Sequence, residues 1–600
     1  MSEVEVFETG VELRANVGIN ISEKSSVIWN IADMLRGLYK PHEYGNVIIP
    51  MTVIKRFNDC LQPTREAVWN TYEQVKHFEV KDGFLKKASG YQFYNVSKFD
   101  FNNLLADPNN IEDNFRSYLA GFSDNVLDIL ENFKFDVEIK NLADNGKLFY
   151  IIQEFNTQKA DMSPEKITSV DMGYIFEDLI KRFSESYNEE AGAHFTSRDI
   201  IYTMVDLLVE SEKVSLINDG VVKTVYDMAM GTSQMLGCMD ERLTQFDSQA
   251  EVTTFGQEIN PQTFAIAKAD ALIRGEDADN MRKGDTLADD KFSGYTFDFV
   301  ISNPPFGIDW KSSKPAVEKE AKQGDKGRFG MGLPPVSDGQ MLFTLNGLKK
   351  LKDTTGRMCI VHNGSPLFTG DAGSGPSEIR RYILENDWLD AIVQLGTDMF
   401  YNTGITTYLW ILDKDKPSYR AGKVQLIDAS NCYEKRRKSI GSKRNDITDK
   451  ARELIIKTYL EFENKEYEDG NLKTESKIFD TVDFGYNKIV IESPERDEDG
   501  NIVLKKGKPV ADSSLRDTEN VPLTEDIDSY FEREVKPFNP DAWIDKSKTK
   551  VGYEIPFTRY FYKYVAPEKS EVIAERILEV EKELMASLRA LFEKDGEKSE

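Results

Sequence analysis

Hydrophobic residues recur at two different spacings along the chain, and the change of spacing separates its regions. Between about residues 25 and 158 they recur every three or four positions, as at Ile28, Ile31, Leu35 and Leu38. This period places them on one face of a helix. From Lys223 onward, short apolar runs alternate with helical segments instead. The pattern predicts a helical N-terminal domain followed by an α/β domain with a largely parallel sheet.

Four strand–turn units give the order of the α/β region. Apolar runs at 223–227 and 252–258 each end in an acidic residue, and a helix is predicted at 261–273. A third unit closes near 283–287, and the fourth is an apolar run at 297–302. Later strands are predicted at 357–362, 389–395 and 406–412. This order predicts a doubly wound, Rossmann-like α/β fold, which holds nucleotide-like ligands at the carboxyl ends of its strands.

Length and charge change this picture in two respects. Six hundred residues exceed what one hydrophobic core accommodates, so two or three domains are expected. We place a flexible leader at 1–20, the helical domain at 21–161, the α/β domain at 162–490 and a C-terminal extension at 491–600. The formal net charge is −27, an odd value for a protein that would bind DNA unaided, because phosphates require cationic partners.

The rarer residues exclude several classes of protein. Cys60, Cys238, Cys359 and Cys432 are scattered without disulfide or metal spacing, which indicates reduced thiols in a cytoplasmic protein. The four histidines form no ligand pair, so no metal site is expected. No apolar run approaches the length of a membrane span, and the first residues lack a signal peptide's charge pattern. We therefore expect a cytoplasmic protein without membrane contact.

The tetrapeptide Asn303-Pro304-Pro305-Phe306 directly follows the predicted strand 297–302. The amino group of adenine is a poor nucleophile because its lone pair is delocalised into the ring. Two acceptors, the Asn303 side-chain oxygen and the Pro304 carbonyl, would draw that nitrogen toward tetrahedral geometry, and prolines offer only acceptors. Phe306 would stack on the ring. A strand that simply ends in a proline turn is the alternative interpretation.

The order strand, acid, helix, strand, acid resembles the fold of S-adenosylmethionine-dependent methyltransferases. The Asn303 loop resembles that of the adenine-N6 amino-methyltransferases. Ahead of the first strand, Gly192-Ala-His-Phe-Thr-Ser-Arg198 is similar to the family's N-terminal cofactor segment, with Ser197 in place of the usual proline. That segment before the Asp227 loop, and the Asn303 loop after it, correspond to the gamma-type order of motifs.

Longer segments resemble the methyltransferase (M) subunits of type I restriction–modification systems. They are 328–343, 363–375, 378–381 and 399–404, and the resemblance spans most of residues 20–490. It implies that a methyl group passes from S-adenosylmethionine to the N6 amino group of an adenine flipped out of double-stranded DNA. It also implies a DNA-specificity subunit that binds two copies of this chain, and a restriction/translocase subunit, as partners.

The resemblance implies a role for each cofactor-binding residue. Asp227 and the backbone of 231–234 would hold the amino-acid part of the cofactor with help from 192–197, and Glu258 would bind the ribose. Asp285 would border the adenine rings, although an aspartate that caps a turn is an equal alternative. The residues are Gly192, Ala193, His194, Phe195, Thr196, Ser197, Asp227, Gly231, Thr232, Ser233, Gln234, Glu258 and Asp285.

The loop after Asp227 departs from the family pattern Asp-Pro-x-x-Gly-Ser/Thr-Gly. Met228 replaces the proline, and Ser233 and Gln234 stand where small residues are usual. Side chains there could crowd the methionine end of the cofactor, because glycine is favoured where backbone approaches a ligand closely. A catalytically weak or inactive structural subunit is therefore one alternative. A protein-glutamine N-methyltransferase also carries Asn-Pro-Pro before an aromatic residue, but such enzymes are far smaller.

Two features of the C-terminal half bear on partners. A compact basic segment is predicted to contact DNA, with a solvated loop as an equal alternative. The last predicted helix carries an apolar stripe typical of a coiled coil, and we expect it to dock on a partner helix, with the chain's own core as the alternative. The basic residues are Lys435, Arg436, Arg437, Lys438, Lys443 and Arg444, and the stripe is Ile573, Ile577, Val580, Leu584, Leu588 and Leu591.

Overall fold

The computed structural model describes most of the chain. The described residues are 27, 30–168, 171–176, 178–179, 196–212, 216–217, 220–247, 249–564 and 568–596. They form two compact units, 1–555 and 556–600. The predicted leader 1–20 lies outside the described residues.

The N-terminal part of the first unit is helical, as the three-to-four-residue spacing predicts. Its longest helix, Gly45–Leu61, completely buries Ile48, Met51 and Ile54, which recur at intervals of three. These side chains join the main hydrophobic core of the unit. Residues 30–35 are helical, and further helices among the described residues are Gly45–Leu61, Arg65–Val75, Asp82–Ser89, Phe101–Leu105, Ile111–Leu119, Asp124–Phe133, Phe135–Asp144 and Leu148–Phe155.

Strands of the α/β region follow the predicted order closely. The strand in the run predicted at 297–302 begins two residues later, at Phe299. Just before it, the Asp298 side chain accepts hydrogen bonds from Thr224 N and Lys352 Nζ. The strands are β1 Val222–Asp227, β2 Glu251–Glu258, β3 Met281–Lys283, β4 Phe299–Ser302, β5 Arg357–His362, β6 Leu389–Leu395, β7 Tyr408–Asp413, β8 Lys423–Asn431, β9 Glu434–Ile440, β10 Lys443–Asp446, β11 Lys465–Asp469 and β12 Leu472–Asp480.

One ten-stranded sheet has the order β11-β12-β8-β6-β7-β5-β4-β1-β2-β3 within the described residues. The strands β3, β2, β1, β4 and β5 run parallel, and β7 is antiparallel between β5 and β6. The chain winds outward from β1 in one direction and from β4 in the other. The predicted doubly wound α/β fold is confirmed, and its switch point lies between β1 and β4, where such sheets bind ligands.

Helices connect the parallel strands and cover the sheet. The helix Pro261–Arg274 begins at Asn260, whose side chain accepts hydrogen bonds from Gln262 N and Thr263 N. It ends at Gly275, which adopts φ 82°, a left-handed conformation that favours glycine. The other helices of this region are Arg198–Val209, Gln234–Phe246, Lys314–Ala321, Gln340–Lys349, Ser365–Phe368, Gly375–Glu385 and Asp449–Glu461.

The first unit ends in a small antiparallel sheet with its own hydrophobic cluster. Strand β13, Gly485–Glu492, pairs with all three of its neighbours, and the cluster includes Ile489, Val521 and Phe531. A separate hairpin turns at Lys506 and Gly507, both at positive φ, as the turn residues predict. The remaining elements are β14 Leu504–Lys505, β15 Lys508–Pro509, β16 Asp517–Pro522, the helix Ile527–Tyr530, β17 Trp543–Ile544 and β18 Lys550–Tyr553.

The second unit contains the helices Phe557–Phe561 and Ser570–Gly596. The long predicted C-terminal helix is therefore present. Four residues of its predicted stripe are exposed, at 43–63% of their maximal surface, and the side chains of the last two lie outside the described residues. The four are Ile573, Ile577, Val580 and Leu584, and the last two are Leu588 and Leu591.

Candidate functional site

A cavity of about 230 Å³ lies at the carboxyl edge of the parallel strands. Its wall contains Glu258 at the end of β2, Asp285 after β3, and Asn303 and Pro305 after β4. Residues far apart in sequence meet here because neighbouring parallel strands end at the same edge of the sheet. The cavity therefore brings together two catalytic candidates, Asn303 and Pro305, and two cofactor-binding candidates, Glu258 and Asp285.

Asn303 presents a free acceptor at this edge. Its Nδ2 donates a hydrogen bond of 2.8 Å to Thr196 Oγ1. Its Oδ1 is buried and receives no hydrogen bond from any described residue. An unpaired buried acceptor costs free energy, on the order of 1–3 kcal/mol, so a ligand that donates a hydrogen bond to this atom would relieve that cost.

Asp227 does not line the cavity but fixes the turn beside it. Its Oδ1 accepts hydrogen bonds from Ser302 Oγ at 2.7 Å and from Ala229 N at 3.0 Å. The carboxyl group is 1% exposed, and burial raises its pKa to about 7, with the Glu258 carboxylate adding to the rise. The side chain thus joins the ends of β1 and β4 and is partly protonated near neutral pH.

This raised pKa leads to a prediction about stability. The folded protein binds a proton on Asp227 more tightly than the unfolded chain does, so protonation of Asp227 stabilises the folded state. This contribution to the free energy of unfolding is complete below about pH 4 and is lost as pH rises through about 7. Asp227→Asn removes this loss, because an amide does not ionise. We expect thermal unfolding between about pH 5 and about pH 8 to show an advantage for Asp227→Asn that grows with pH. If the melting temperatures of the two proteins changed with pH in the same way, the raised pKa assigned to Asp227 would be contradicted.

The loop after Asp227 is held by the acid that ends β2. Glu258 Oε2 accepts from Gly231 N at 2.8 Å, and Oε1 accepts from Asn260 N at 2.7 Å. Gly231 has φ 54° and Ser233 has φ 64°, so two residues of the loop are left-handed and one of them is not glycine. The Ser233 hydroxyl and Gln234 Oε1 are buried without a partner in the part of the chain that the structure describes. Polar atoms therefore remain available in this loop.

Asp285 caps a turn and also lines the cavity, while its role beside the adenine rings stays a prediction. Its Oδ1 caps the following turn by accepting from Leu287 N at 2.9 Å, and its carboxylate also lines the cavity. Its Oδ2 accepts a hydrogen bond of 2.6 Å from Ser313 Oγ. Ser313 lies beyond the Asn303 loop, so this contact closes one side of the cavity.

The cavity also has an apolar wall, which was not predicted from the sequence. Ile259 and Ile308 line it and remain 64% and 50% exposed, and the buried Trp310 lies beside them. Trp310 Nε1 donates to Pro335 O at 3.0 Å, and Gly339 N donates to Ile308 O at 3.2 Å. The sequence contained a signal for this wall, because an isoleucine directly follows each motif: Ile259 after Glu258 and Ile308 after the 303–307 turn.

Several predicted site residues lie away from the cavity wall. Phe306 is half-buried and packs against the main core, and Gly192 to Phe195 lie outside the described residues. Thr196 contacts Asn303, as described above. Ser197 is buried at the start of the helix Arg198–Val209, and its hydroxyl has no partner within the described chain. Neither Pro304, which is buried, nor Thr232, which is half-buried, lines the cavity.

The predicted basic segment forms the hairpin β9–β10 rather than a loop. The assignment of Lys443 to DNA binding is corrected, because this lysine is fully buried. Its Nζ donates to Asp199 Oδ2 and to Met399 O, each at 2.9 Å, and so anchors the hairpin. Arg436 pairs with Asp446. The remaining four cations are exposed and take part in none of the ion pairs among described residues; they are Lys435, Arg437, Lys438 and Arg444.

Two classes of feature are absent from the described residues. No group of three or more His, Cys, Asp or Glu side chains there could hold a metal ion. No described helix is both long and apolar enough to cross a membrane.

Comparisons with known proteins agree with this geometry. The family model described as N-6 DNA Methylase matches residues 168–491, and the model described as HsdM N-terminal domain matches residues 24–155. The chain is 24% identical to the type I restriction enzyme MjaIX methylase subunit of Methanocaldococcus jannaschii, over 74% of this chain and 78% of that protein. It is 23% identical to the MpnII methylase subunit of Mycoplasma pneumoniae, over 72% and 82% of the two chains.

The fold has a counterpart among solved structures. It is similar to the crystal structure of the type I restriction-modification system methyltransferase subunit from Streptococcus thermophilus, with a TM-score of 0.58 and 21% identity. The similarity covers 77% of this chain and 97% of that one. At this level of identity the likeness supports the architecture.

Proposed function

The chain belongs to the N-6 DNA methylase family, and on this premise we propose that Asn303 activates the adenine amine that the enzyme methylates. Together with the matching N-terminal domain, this membership makes the chain an adenine-specific DNA methyltransferase subunit of the type I restriction–modification kind. The observation that carries the residue assignment is the unpaired, buried Oδ1 of Asn303 at the carboxyl end of β4.

The residues around the cavity fit S-adenosylmethionine as the methyl donor. Glu258 keeps acceptor capacity for two ribose hydroxyls beyond its two backbone hydrogen bonds, since a carboxylate has about four acceptor sites. The exposed face of Ile259 suits a flat purine. Outside the cavity wall, the buried hydroxyls of Ser197 and Ser233, which have no partner among the described residues, would serve the polar amino-acid part. Asp285 remains the candidate beside the purine ring.

The protein's own part in the reaction is to make the amine nucleophilic. When bound, the donor supplies a methyl group on a positively charged sulfur. Asn303 Oδ1 and the Pro304 carbonyl accept the two N–H groups of the target amine, which concentrates the lone pair on nitrogen. Pro304 and Pro305 restrict the loop and add no competing donor. Phe306 is assigned to stack on the base, whose extrusion from the duplex costs about a few kcal/mol.

No strong general base is required in this scheme. The amine would attack the methyl carbon as a neutral group, and the sulfur would leave as a neutral thioether when its bond to that carbon breaks. The proton that the methylated amine must lose is acidic while the nitrogen is charged, so water can accept it. In agreement with this, the Asn303 side chain donates its hydrogen bond to the Thr196 hydroxyl and not to a carboxylate or histidine.

Partners follow from the same family membership. We infer a DNA-specificity subunit holding two copies of this chain, and a restriction/translocase subunit, around double-stranded DNA. The exposed stripe of the helix Ser570–Gly596 is the proposed docking face for the specificity subunit. The four unpaired cations of the β9–β10 hairpin are the proposed contact with DNA phosphates in a chain of net charge −27.

The DNA contact is testable through salt dependence. Replacing Lys435, Arg437 and Lys438 together by glutamine is expected to lower the slope of log affinity against log salt by about two to three, since each lost phosphate contact removes about 0.9. Affinity should fall for all sequences alike, measured by fluorescence anisotropy with the complex purified from its host.

A matched control for that experiment lies on the second hairpin. Lys505, Lys506 and Lys508 on β14–β15 are equally exposed, and their triple glutamine variant should bind DNA as the wild type does. Equal loss in both variants would show that net charge, rather than the β9–β10 hairpin, governs binding.

The function itself is tested in two steps. Sequencing of methylated adenines in the host, with and without the gene, should show one motif whose N6-methyladenine disappears in the deletion. Calorimetry of the purified complex should show S-adenosylmethionine binding. A complex that binds no S-adenosylmethionine even with DNA present would support a structural subunit instead, and the residue assignments would fall.

A further inference from the structure

Thr196 contacts the amide of Asn303 but does not itself line the cavity. The two residues are 107 positions apart, yet Asn303 Nδ2 donates to Thr196 Oγ1 at 2.8 Å. Thr196 is itself buried, at 7% exposure. The sequence predicts that Thr196 binds the cofactor, but its hydroxyl already accepts a hydrogen bond from Asn303 in the catalytic loop.

In this structure the contact occupies the NH₂ end of the Asn303 amide and leaves the oxygen end without a partner among the described residues. An asparagine amide has one accepting and one donating end, and the target amine brings two donors. If the NH₂ end faced the amine, donors would meet donors and no polarisation would follow. With Thr196 accepting from Nδ2, the oxygen is the end left without a partner, as observed for Oδ1.

The position of Thr196 is fixed by the residues that follow it. Three residues on, Asp199 Oδ2 accepts from the buried Lys443 Nζ and from Ile447 N, each at 2.9 Å. The Ser197 carbonyl accepts from the first turn of the helix Arg198–Val209, and Arg198 lies over the ring of Tyr174. A hydroxyl held this firmly can hold a second side chain in one orientation.

The geometry points to Thr196 as a positioning residue for Asn303: its hydroxyl accepts the amide N–H and so presents the amide oxygen to the target amine. This inference rests on the proposed function, because it concerns the same amine. It predicts that removing the hydroxyl slows methyl transfer at saturating donor and leaves donor affinity unchanged. Misplacement of a reacting group by a fraction of an ångström to 1 Å costs up to about a hundredfold in rate.

The variants are Thr196→Val, which has nearly the same shape without the hydroxyl, and Thr196→Ser, which keeps it. Each is measured in the complex purified from its host, on DNA carrying the motif found by sequencing. We expect Thr196→Val to lower the single-turnover rate about ten- to a hundredfold, with donor Kd from calorimetry within about twofold of the wild type. Thr196→Ser should recover the rate to within about threefold.

Three results would overturn the inference. An unchanged rate in Thr196→Val shows that the Thr196–Asn303 hydrogen bond does not contribute to methyl transfer. A weaker donor Kd with an unchanged rate at saturation shows that Thr196 is a donor ligand. An equal loss in Thr196→Val and Thr196→Ser shows that shape rather than the hydroxyl matters. A wild-type complex that methylates no adenine contradicts the proposed function instead, so the two failures are distinct.

A double-mutant cycle tests the same contact without relying on one variant. Asn303→Ala removes the N–H that Thr196 accepts and adds no new partner for the Thr196 hydroxyl. In that background Thr196→Val should have little further effect on the remaining rate, since the two changes break one interaction. If Thr196→Val does not fold, the smaller Thr196→Ala replaces it in the cycle. Additive losses in rate would refute the coupling.

Discussion

Asn303→Ala is expected to lower the rate of adenine methylation by at least about a thousandfold, because it removes the acceptor that polarises the amine. Donor binding should survive, since the Asn303 side chain bonds to Thr196 rather than to the loop after Asp227 or to Glu258. The measurement is single-turnover transfer of labelled methyl to DNA, together with calorimetry of S-adenosylmethionine binding.

Asn431→Ala is a suitable control. This asparagine also ends a strand, β8, but it is exposed and lies outside the cavity wall. It should leave both the rate and donor binding as in the wild type. Methylation by Asn303→Ala at a rate within about tenfold of the wild type would remove Asn303 from the mechanism.

Glu258→Gln is expected to have the second largest effect, on donor affinity. Its two oxygens accept from Gly231 N and Asn260 N, and an amide can offer only one oxygen to these two donors. Loss of one hydrogen bond to a charged group costs about 1.5–3 kcal/mol. Together with the lost ribose contact, we expect donor Kd to rise about a hundredfold or more, since each tenfold corresponds to about 1.4 kcal/mol.

Glu251→Gln provides the matched control at the other end of the same strand. Glu251 is exposed at the start of β2 and lies outside the cavity wall. Donor binding by this variant should equal that of the wild type. If Glu258→Gln also bound the donor normally, the carboxylate would be a purely structural brace for the Gly231 turn.

Local sequence pattern and sheet topology were sufficient to predict which candidate residues lie at the carboxyl edge of the sheet. Asp227, Glu258 and Asn303 each end an apolar run, and parallel strands must bring such ends to one edge. Asp285 showed both the turn cap and the cavity contact that its sequence context allowed. The helical N-terminal region follows from hydrophobic spacing alone.

Contacts between distant segments could not be predicted in this way. A charge run does not reveal which cation is buried, and only the packing of β10 against Asp199 withdraws Lys443 from the surface. The Thr196–Asn303 hydrogen bond likewise depends on how the segment before β1 folds over the end of β4. Sequence analysis expected a ligand role for both residues because it treated each motif separately.

The buried Lys443–Asp199 ion pair joins positions 244 residues apart. During synthesis, the N-terminal helices and the first parallel strands leave the ribosome long before Lys443 does, and earlier regions fold first. Asp199 would then lack its Lys443 partner until β10 arrives. The catalytic loop therefore acquires its final support late in translation, and a nascent chain stopped before β10 should hold the donor-binding strands but lack a competent methylation centre.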